Sequence, residues 1–281
     1  MLAPSPSTLA SLFQLAVPAM FLLAPVACLA TVFISAPYGR HVRPGWGPLI
    51  PARLAWIIME SPALWLSAMA FSWGWNGCRV ADRTAGKETE MSGLGSSGGE
   101  SRAAPVIMAF YLVHYVHRVV IYPLRMRAEG KTMPVLVMLL AFCYNLHNGF
   151  MQGYQVGAIG KYPLSWLFST QFLIGSSLFL LGFITNIAAD SALLALRKSS
   201  KDTGYQIPRG PLFHLVSCPN YSGELLEWLG WAILTWSWAG FAFFVFACAN
   251  LMPRAVSHHK WYLQKFEDYP KQRKAVVPFL L

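Results

Sequence analysis

Seven apolar stretches dominate the sequence, at about residues 9–35, 53–75, 104–124, 133–156, 164–195, 221–237 and 238–262. Each approaches or exceeds the roughly 20 apolar residues that a helix needs to cross a bilayer. Inside hydrocarbon every backbone N–H and C=O must be satisfied within the protein, so runs of this kind are read as helices. The expected fold class is therefore all-α: a polytopic membrane protein with seven transmembrane helices, forming one domain over 1–281. The composition agrees. The chain is 55% apolar and 12% charged, whereas a soluble domain carries about 25% charged residues. The first run lacks the basic region that opens a signal peptide, because the first positive charge is Arg40; it is read as a retained helix. The last two runs are continuous from Leu225 to Met252, and a tight turn at Ser237-Trp238-Ala239-Gly240 is expected to divide them.

An odd number of spans puts the two termini on opposite sides, and the basic residues provide a check. The segments on one side hold Arg40, Arg43 and Arg53, then Arg125, Arg127 and Lys131, then Arg197, Lys198, Lys201 and Arg209; the C-terminal segment adds Arg254, Lys260, Lys265, Lys271, Arg273 and Lys274. The opposite side holds Arg79, Arg83, Lys87, Arg102 and Lys161. The positive-inside rule then places the C-terminus in the cytoplasm and the N-terminus outside or in the lumen. An endoplasmic reticulum membrane and a bacterial inner membrane both fit. The net charge of +10 is accordingly a topology signal, not a nucleic-acid surface. The five cysteines show no CxxC pair and no metal spacing, so neither a disulfide framework nor a metal centre is expected.

Residues 76–103 form the one long polar loop, rich in Gly and Ser and expected to be mobile. It contains Gly93-Leu94-Gly95-Ser96-Ser97-Gly98, a literal GxGxxG. A dinucleotide fingerprint requires a strand before it and a helix after it; neither is expected here, so the match is discounted.

Charges inside membrane helices are costly and usually functional. Here they are Glu60, Arg118, Asp190, Glu224 and Glu227. In the third run Tyr111, Tyr115, Arg118 and Tyr122 recur at spacings of four, three and four, hence on one helix face, with His114 and His117 beside them. This stripe is either an inter-helix hydrogen-bonding seam or the wall of a ligand site. In the fifth run Asn186, Asp190 and Arg197 share a face; in the sixth, Asn220, Glu224, Glu227 and Trp231 do; in the last, Arg254, His258 and Tyr262 do. Taken singly, each stripe is also explained by an internal salt-bridge network. Taken together they describe a polar cavity open to the cytoplasm, with cations for phosphates and carboxylates for hydroxyl and amide groups.

Several segments resemble the steroid 5α-reductase family. They are Tyr205-Gln-Ile-Pro-Arg-Gly-Pro-Leu-Phe213, Ser217-Cys-Pro-Asn220-Tyr-Ser-Gly-Glu224-Leu-Leu-Glu227-Trp228, and the stretch from His258 to Phe279 that includes Tyr262, Lys271, Arg273 and Pro278. His114-Tyr115-Val-His117-Arg118 and Asn148-Gly-Phe-Met-Gln152-Gly-Tyr154 are similar too. The likeness covers roughly residues 55–281. Two positions depart from it: Met59 stands where the family's eukaryotic steroid enzymes tend to carry Gln, and Gln206 where they tend to carry Arg.

The resemblance implies a seven-helix fold with NADPH in the cytoplasm-facing cavity and a Δ4-3-oxo lipid entering from the membrane. No metal is implied. It assigns the cofactor to Arg118, Tyr122, Asn186, Asp190, Arg197, Tyr205, Asn220, Glu224, Trp228, Arg254, His258 and Tyr262, with residues 186–281 as the main cofactor-binding part. Glu60 and Tyr115 are implied as the catalytic pair that bonds the substrate's C3 carbonyl oxygen. The expected reaction is hydride transfer to the β-carbon of an enone, with a neutral carboxylic acid and a phenol stabilising the enolate. Three other readings stay open: a relative acting on a polyprenol or an enoyl-CoA, a membrane methyltransferase that uses S-adenosylmethionine, and a non-catalytic seven-helix receptor or carrier.

Overall fold

The computed structural model describes residues 4–34, 45–84, 101–199 and 205–281, without the side chains of 78–84 and 197–199. The chain runs α1 (Pro6–Phe33), β1 (Leu49–Pro51), α2 (Ala52–Thr84), α3 (Ala104–Val116), α4 (Tyr122–Arg125), β2 (Thr132–Pro134), α5 (Val135–Tyr154), α6 (Thr170–Ser199), α7 (Pro219–Thr235) and α8 (Trp238–Lys265). One π-helical turn, His117–Ile121, joins α3 to α4, and another, Gln155–Ile159, ends α5. Among the described residues, six helical segments are long and apolar enough to cross a membrane: Pro6–Phe33, Ala52–Gly77, Ala104–Arg125, Val135–Ile159, Thr170–Leu196 and Trp238–Lys265. A polytopic all-α membrane protein fits this architecture. The other expected span corresponds to α7, whose 17 residues fall short of that length.

Three details differ from the sequence reading. Residues 76–84 continue α2 instead of opening a loop; once a helix has nucleated, adding polar residues to its end is cheap. The rest of the expected loop, 85–100 with its GxGxxG, lies outside the described residues. The α7–α8 turn sits slightly earlier than expected. Trp236 ends α7 in the left-handed region at φ 45°, and Ser237 caps α8 by accepting from the Gly240 N–H at 3.0 Å. A small antiparallel ladder pairs Leu49 with Pro134 and Pro51 with Thr132, tying the start of α2 to the start of α5.

Close backbone approach sets the helix pairs. Gly149, Gly153 and Gly157 lie on α5 and its π turn, and a Cβ at any of them would meet the backbone of Pro62, Ser67 or Phe71 on α2. Gly175 and Gly182 on α6 face Gly230 and Gly223 on α7 in the same way. Apolar burial supplies little drive between helices in lipid, so small residues that let backbones touch decide which helices pair. In this chain they lock α2, which carries Glu60, onto α5, and α6, which carries Asp190, onto α7, which carries Glu224. The inter-helix segments also gather in sets. Arg53 donates to the Met126 carbonyl at 2.7 Å, and Arg125 to Ser191 at 2.8 Å. In the other set, Ala103 N–H donates to Tyr162, whose hydroxyl donates to the Thr235 carbonyl at 2.9 Å.

Candidate active site

Pro62 interrupts the hydrogen bonding of α2 next to Glu60. Proline has no N–H, so the carbonyl four residues earlier loses its usual helical donor. Ser61 replaces it, donating from Oγ to the Ile58 carbonyl at 3.0 Å. The neighbouring Met59 carbonyl accepts from the Asn145 side chain at 2.7 Å, and the same Asn145 nitrogen lies 3.5 Å from Glu60 Oε2. Asn145 of α5 thus holds the backbone and carboxyl of this turn of α2 from the neighbouring helix.

The Glu60 carboxyl meets Arg118. The guanidinium lies 3.7 Å from Glu60 of α2, 3.8 Å from Asp190 of α6 and 3.8 Å from Glu224 of α7. One cation thus gathers three carboxylates from three helices, and the cluster carries a formal charge of −2. Arg118 is carried on the π-helical turn, a widening that recurs at functional positions because it re-aims the side chains that follow. Its carbonyl accepts from Trp56 Nε1 at 3.1 Å, and its guanidinium lies 4.7 Å from the Trp56 ring and 5.4 Å from the Tyr122 ring. Asn220 donates to Asp190 Oδ1 at 3.0 Å, and Asn186 donates to the Asn220 carbonyl at 2.9 Å.

Beside this cage lies a buried aromatic wall. The Tyr111 and Tyr115 rings are 4.6 Å apart, and Tyr115 stacks on Trp228 at 6.0 Å and 27°. His114 Nδ1 pairs with Glu227 Oε1 at 2.8 Å, while the fully buried Glu227 Oε2 has no hydrogen-bond partner among the described residues.

The structure therefore brings together Glu60, Tyr115, Arg118, Tyr122, Asn186, Asp190, Asn220, Glu224 and Trp228. The α8 residues form an adjoining group. Arg254 donates to the Tyr221 hydroxyl at 3.2 Å, His258 Nε2 lies 3.4 Å from that same oxygen, and Tyr262 stacks on Tyr269 at 5.1 Å. Tyr205 packs on Trp261 at 5.0 Å. The Arg197 side chain lies outside the described residues. Among the described residues no group of His, Cys, Asp and Glu is arranged to hold a metal ion.

Sequence reasoning passed over Trp56, Asn145 and Tyr221. Trp56 precedes Glu60 by one helical turn. Asn145 heads a polar stripe with Asn148 and Gln152 on α5. That spacing was a readable signal of a face turned inward.

Comparison with known proteins bears on this geometry. Residues 131–281 match the family model described as 3-oxo-5-alpha-steroid 4-dehydrogenase. The chain is 43% identical over 275 residues to a protein of Gossypium hirsutum named steroid 5-alpha-reductase DET2, covering 96% of this chain and 98% of that one. It is 40% identical over 250 residues to 3-oxo-5-alpha-steroid 4-dehydrogenase 1 of Bos taurus, covering 88% and 89%. With the Homo sapiens protein of the same name it shares 40% over 245 residues, covering 86% and 85%.

Proposed function

The chain belongs to the 3-oxo-5-alpha-steroid 4-dehydrogenase family, and from that premise we propose that it reduces the C4–C5 double bond of a Δ4-3-oxosteroid with NADPH. The observation that supports the reading is the pairing of Glu60 with Arg118 in the polar cage, with Tyr115, stacked on Trp228, three residues before Arg118 in the chain. We place seven spans in the membrane, with α7 as the short one held by α6, and the C-terminus in the cytoplasm.

The residues present suit a nicotinamide dinucleotide. Asn186, Asp190, Asn220 and Glu224 offer amides and carboxylates for ribose hydroxyls and a carboxamide, and Trp228 offers a flat face. The cage itself is net negative and repels phosphate. Phosphates are therefore assigned to the cationic group in the second half of α8, where Arg254 lies beside Tyr221 and His258, together with Arg197. Tyr122, Tyr205 and Tyr262 border these two regions. When bound, NADPH supplies the hydride.

The protein's own task is the carbonyl. As the double bond is reduced, charge develops on the C3 oxygen, and donors aimed at that oxygen lower the barrier. Tyr115 gives one such donor. Glu60 acts either as a neutral acid that donates beside it, or as a carboxylate that orients Tyr115. Losing one donor of this kind typically costs about 10²–10³ in kcat.

The test is steady-state reduction of progesterone by detergent-purified protein. Tyr115→Phe should lower kcat and leave NADPH affinity intact. Glu60→Gln should retain more activity than Glu60→Ala if Glu60 donates, and should be equally impaired if it only orients. Near-normal turnover by both Tyr115→Phe and Glu60→Ala would overturn the assignment. NADPH should be preferred over NADH; equal use would remove any role for a protein cation in reading the 2′-phosphate.

A further inference from the structure

Asn145 of α5 has one amide orientation open to it. The residue is buried, and its Nδ2 lies 2.7 Å from the Met59 carbonyl oxygen of α2. A peptide carbonyl only accepts. Turned over, the amide would set its own Oδ1 against that oxygen, and two acceptors at that distance repel. The nitrogen therefore stays on the α2 side. The glycine seam keeps it within reach: one turn along α5, a Cβ at Gly149 would lie 2.8 Å from the Pro62 carbonyl oxygen. An amide nitrogen carries two hydrogens. One serves Met59, and the nitrogen also faces Glu60 Oε2 at 3.5 Å. The other carboxyl oxygen, Oε1, lies 3.7 Å from Arg118 Nε.

Glu60 is thus held at both oxygens, and the two holders differ in kind. Arg118 is shared with Asp190 and Glu224, so three carboxylates compete for it. The Asn145 nitrogen is anchored to the backbone of the very turn of α2 that carries Glu60, so it stays in register with that residue. Resting on the proposed reading of Glu60, we infer that Asn145 is a positioning residue for the reaction. Its second N–H holds the Glu60 carboxyl in the arrangement from which it serves the substrate's C3 oxygen, as a donor or as the group that orients Tyr115. A glutamate side chain has several torsions, and keeping it in one arrangement costs entropy that its neighbours must offset. At 3.5 Å the contact is long, and its effect is one of direction more than of strength. Without Asn145 the carboxyl answers to Arg118 alone and is drawn toward the other members of the cage. With it, the group is in place before charge develops, which is where electrostatic preorganisation acts.

The experiment compares kcat and KM for progesterone and NADPH in wild type, Asn145→Leu, Asn145→Asp, Glu60→Ala and the double variant Glu60→Ala/Asn145→Leu. Asn145→Leu should lower kcat by about tenfold to a hundredfold, since a misplacement of about 1 Å can cost on the order of 10² in rate, with KM for NADPH unchanged. In the Glu60→Ala background the same change should cost less than about twofold, because the group it positions is gone. A residue that only supports the fold would slow both backgrounds alike. Asn145→Asp keeps the shape and puts an oxygen where the donor nitrogen stood, so it should be no faster than Asn145→Leu. Should Asn145→Leu yield no protein that binds NADPH, Asn145→Ala, which adds no bulk, takes its place in the cycle; failure of both to bind would overturn the positioning role and make Asn145 a structural residue. Wild-type kcat in Asn145→Leu or Asn145→Asp, or losses that simply multiply in the double variant, would also overturn it. Wild-type kcat in Glu60→Ala would instead remove the reading of Glu60 on which the proposal rests, so the two failures are told apart.

Discussion

Arg118 is the residue whose removal should disturb the bundle most, and the size of the effect follows from its contacts. It faces Glu60, Asp190 and Glu224 at 3.7, 3.8 and 3.8 Å, and its own side chain is 16% exposed. At an effective dielectric of about 20, each contact at about 4 Å is worth roughly 4 kcal/mol. The three carboxylates, on the order of 7 Å apart around the guanidinium, repel one another and take back about half of that total. The remainder is about 5 kcal/mol, near the roughly 3–5 kcal/mol measured when one partner of a buried ion pair is removed. Arg118→Gln keeps a planar polar head, removes the charge and leaves three carboxylates facing each other. Thermal unfolding of the detergent-purified protein should fall by about 10 °C or more, taking about 2–4 °C per kcal/mol for a chain of this size. Adding Glu224→Gln removes one of the repelling charges, so the double variant should melt above the single one. A single variant within about 3 °C of wild type, or a double variant that melts lower still, would refute the view of Arg118 as the tie between these helices.

Two further outcomes follow from the packing and the charges. Gly182→Ala puts a methyl group against the backbone of Gly223 and Glu227; it should cost about 1–3 kcal/mol by overpacking and lower activity by shifting Asp190 relative to Glu224. Gly77→Ala, whose new methyl would have nothing within 4 Å, should be neutral or stabilising, and equal losses at both positions would refute the packing argument. In a cysteine-free background, Lys161→Cys and Lys271→Cys should be labelled by an impermeant maleimide from opposite faces, with Lys271→Cys on the cytoplasmic side; labelling from one face would break the seven-span arrangement.

The fold was legible wherever membrane physics leaves one solution. Each long apolar run became a helix because no other backbone satisfies itself in lipid. Legibility ended where the signal is not apolar. Residues 76–84 are polar and yet helical, since a helix that leaves the membrane propagates without a hydrophobic face to announce it. The β1–β2 ladder is three residues on each side, too short for alternation to register. The α7–α8 turn rests on Trp236 at φ 45°, a conformation that a bulky residue seldom adopts.

The site was legible as a set of charges but not as a set of partners. Glu60, Arg118, Asp190 and Glu224 stood out because charge is costly in a membrane helix. Which carboxylate faces which cation depends on which helices touch, and that is decided by glycine backbones. The spacing Gly149, Gly153, Gly157 on α5, and the paired Gly175/Gly182 and Gly223/Gly230, held that information in plain view.

The C-terminal segments carry a different lesson. Residues 205–228 and 258–279 bear the densest family resemblance, and much of it serves contacts between them. Ser217 and Cys218 N–H donate to the Lys274 and Ala275 carbonyls, Ser222 Oγ donates to the Val276 carbonyl, and Arg273 donates to the Pro208 carbonyl at 3.0 Å. Tyr269 donates to Ser217 Oγ at 2.7 Å, and that oxygen also pairs with His259 at 2.6 Å. These bonds clamp the tail across the entry to α7, the helix that bears Asn220, Glu224 and Trp228. A resemblance in such a segment therefore mixes residues that would meet a cofactor with residues that hold its binding helix in place. Asn220 and Glu224, whose side chains join the cage around Asp190 and Arg118, are the ones we propose for the first kind. Ser217, Ser222 and Arg273 belong to the second, because their side chains are spent on the tail and the connection leading into α7.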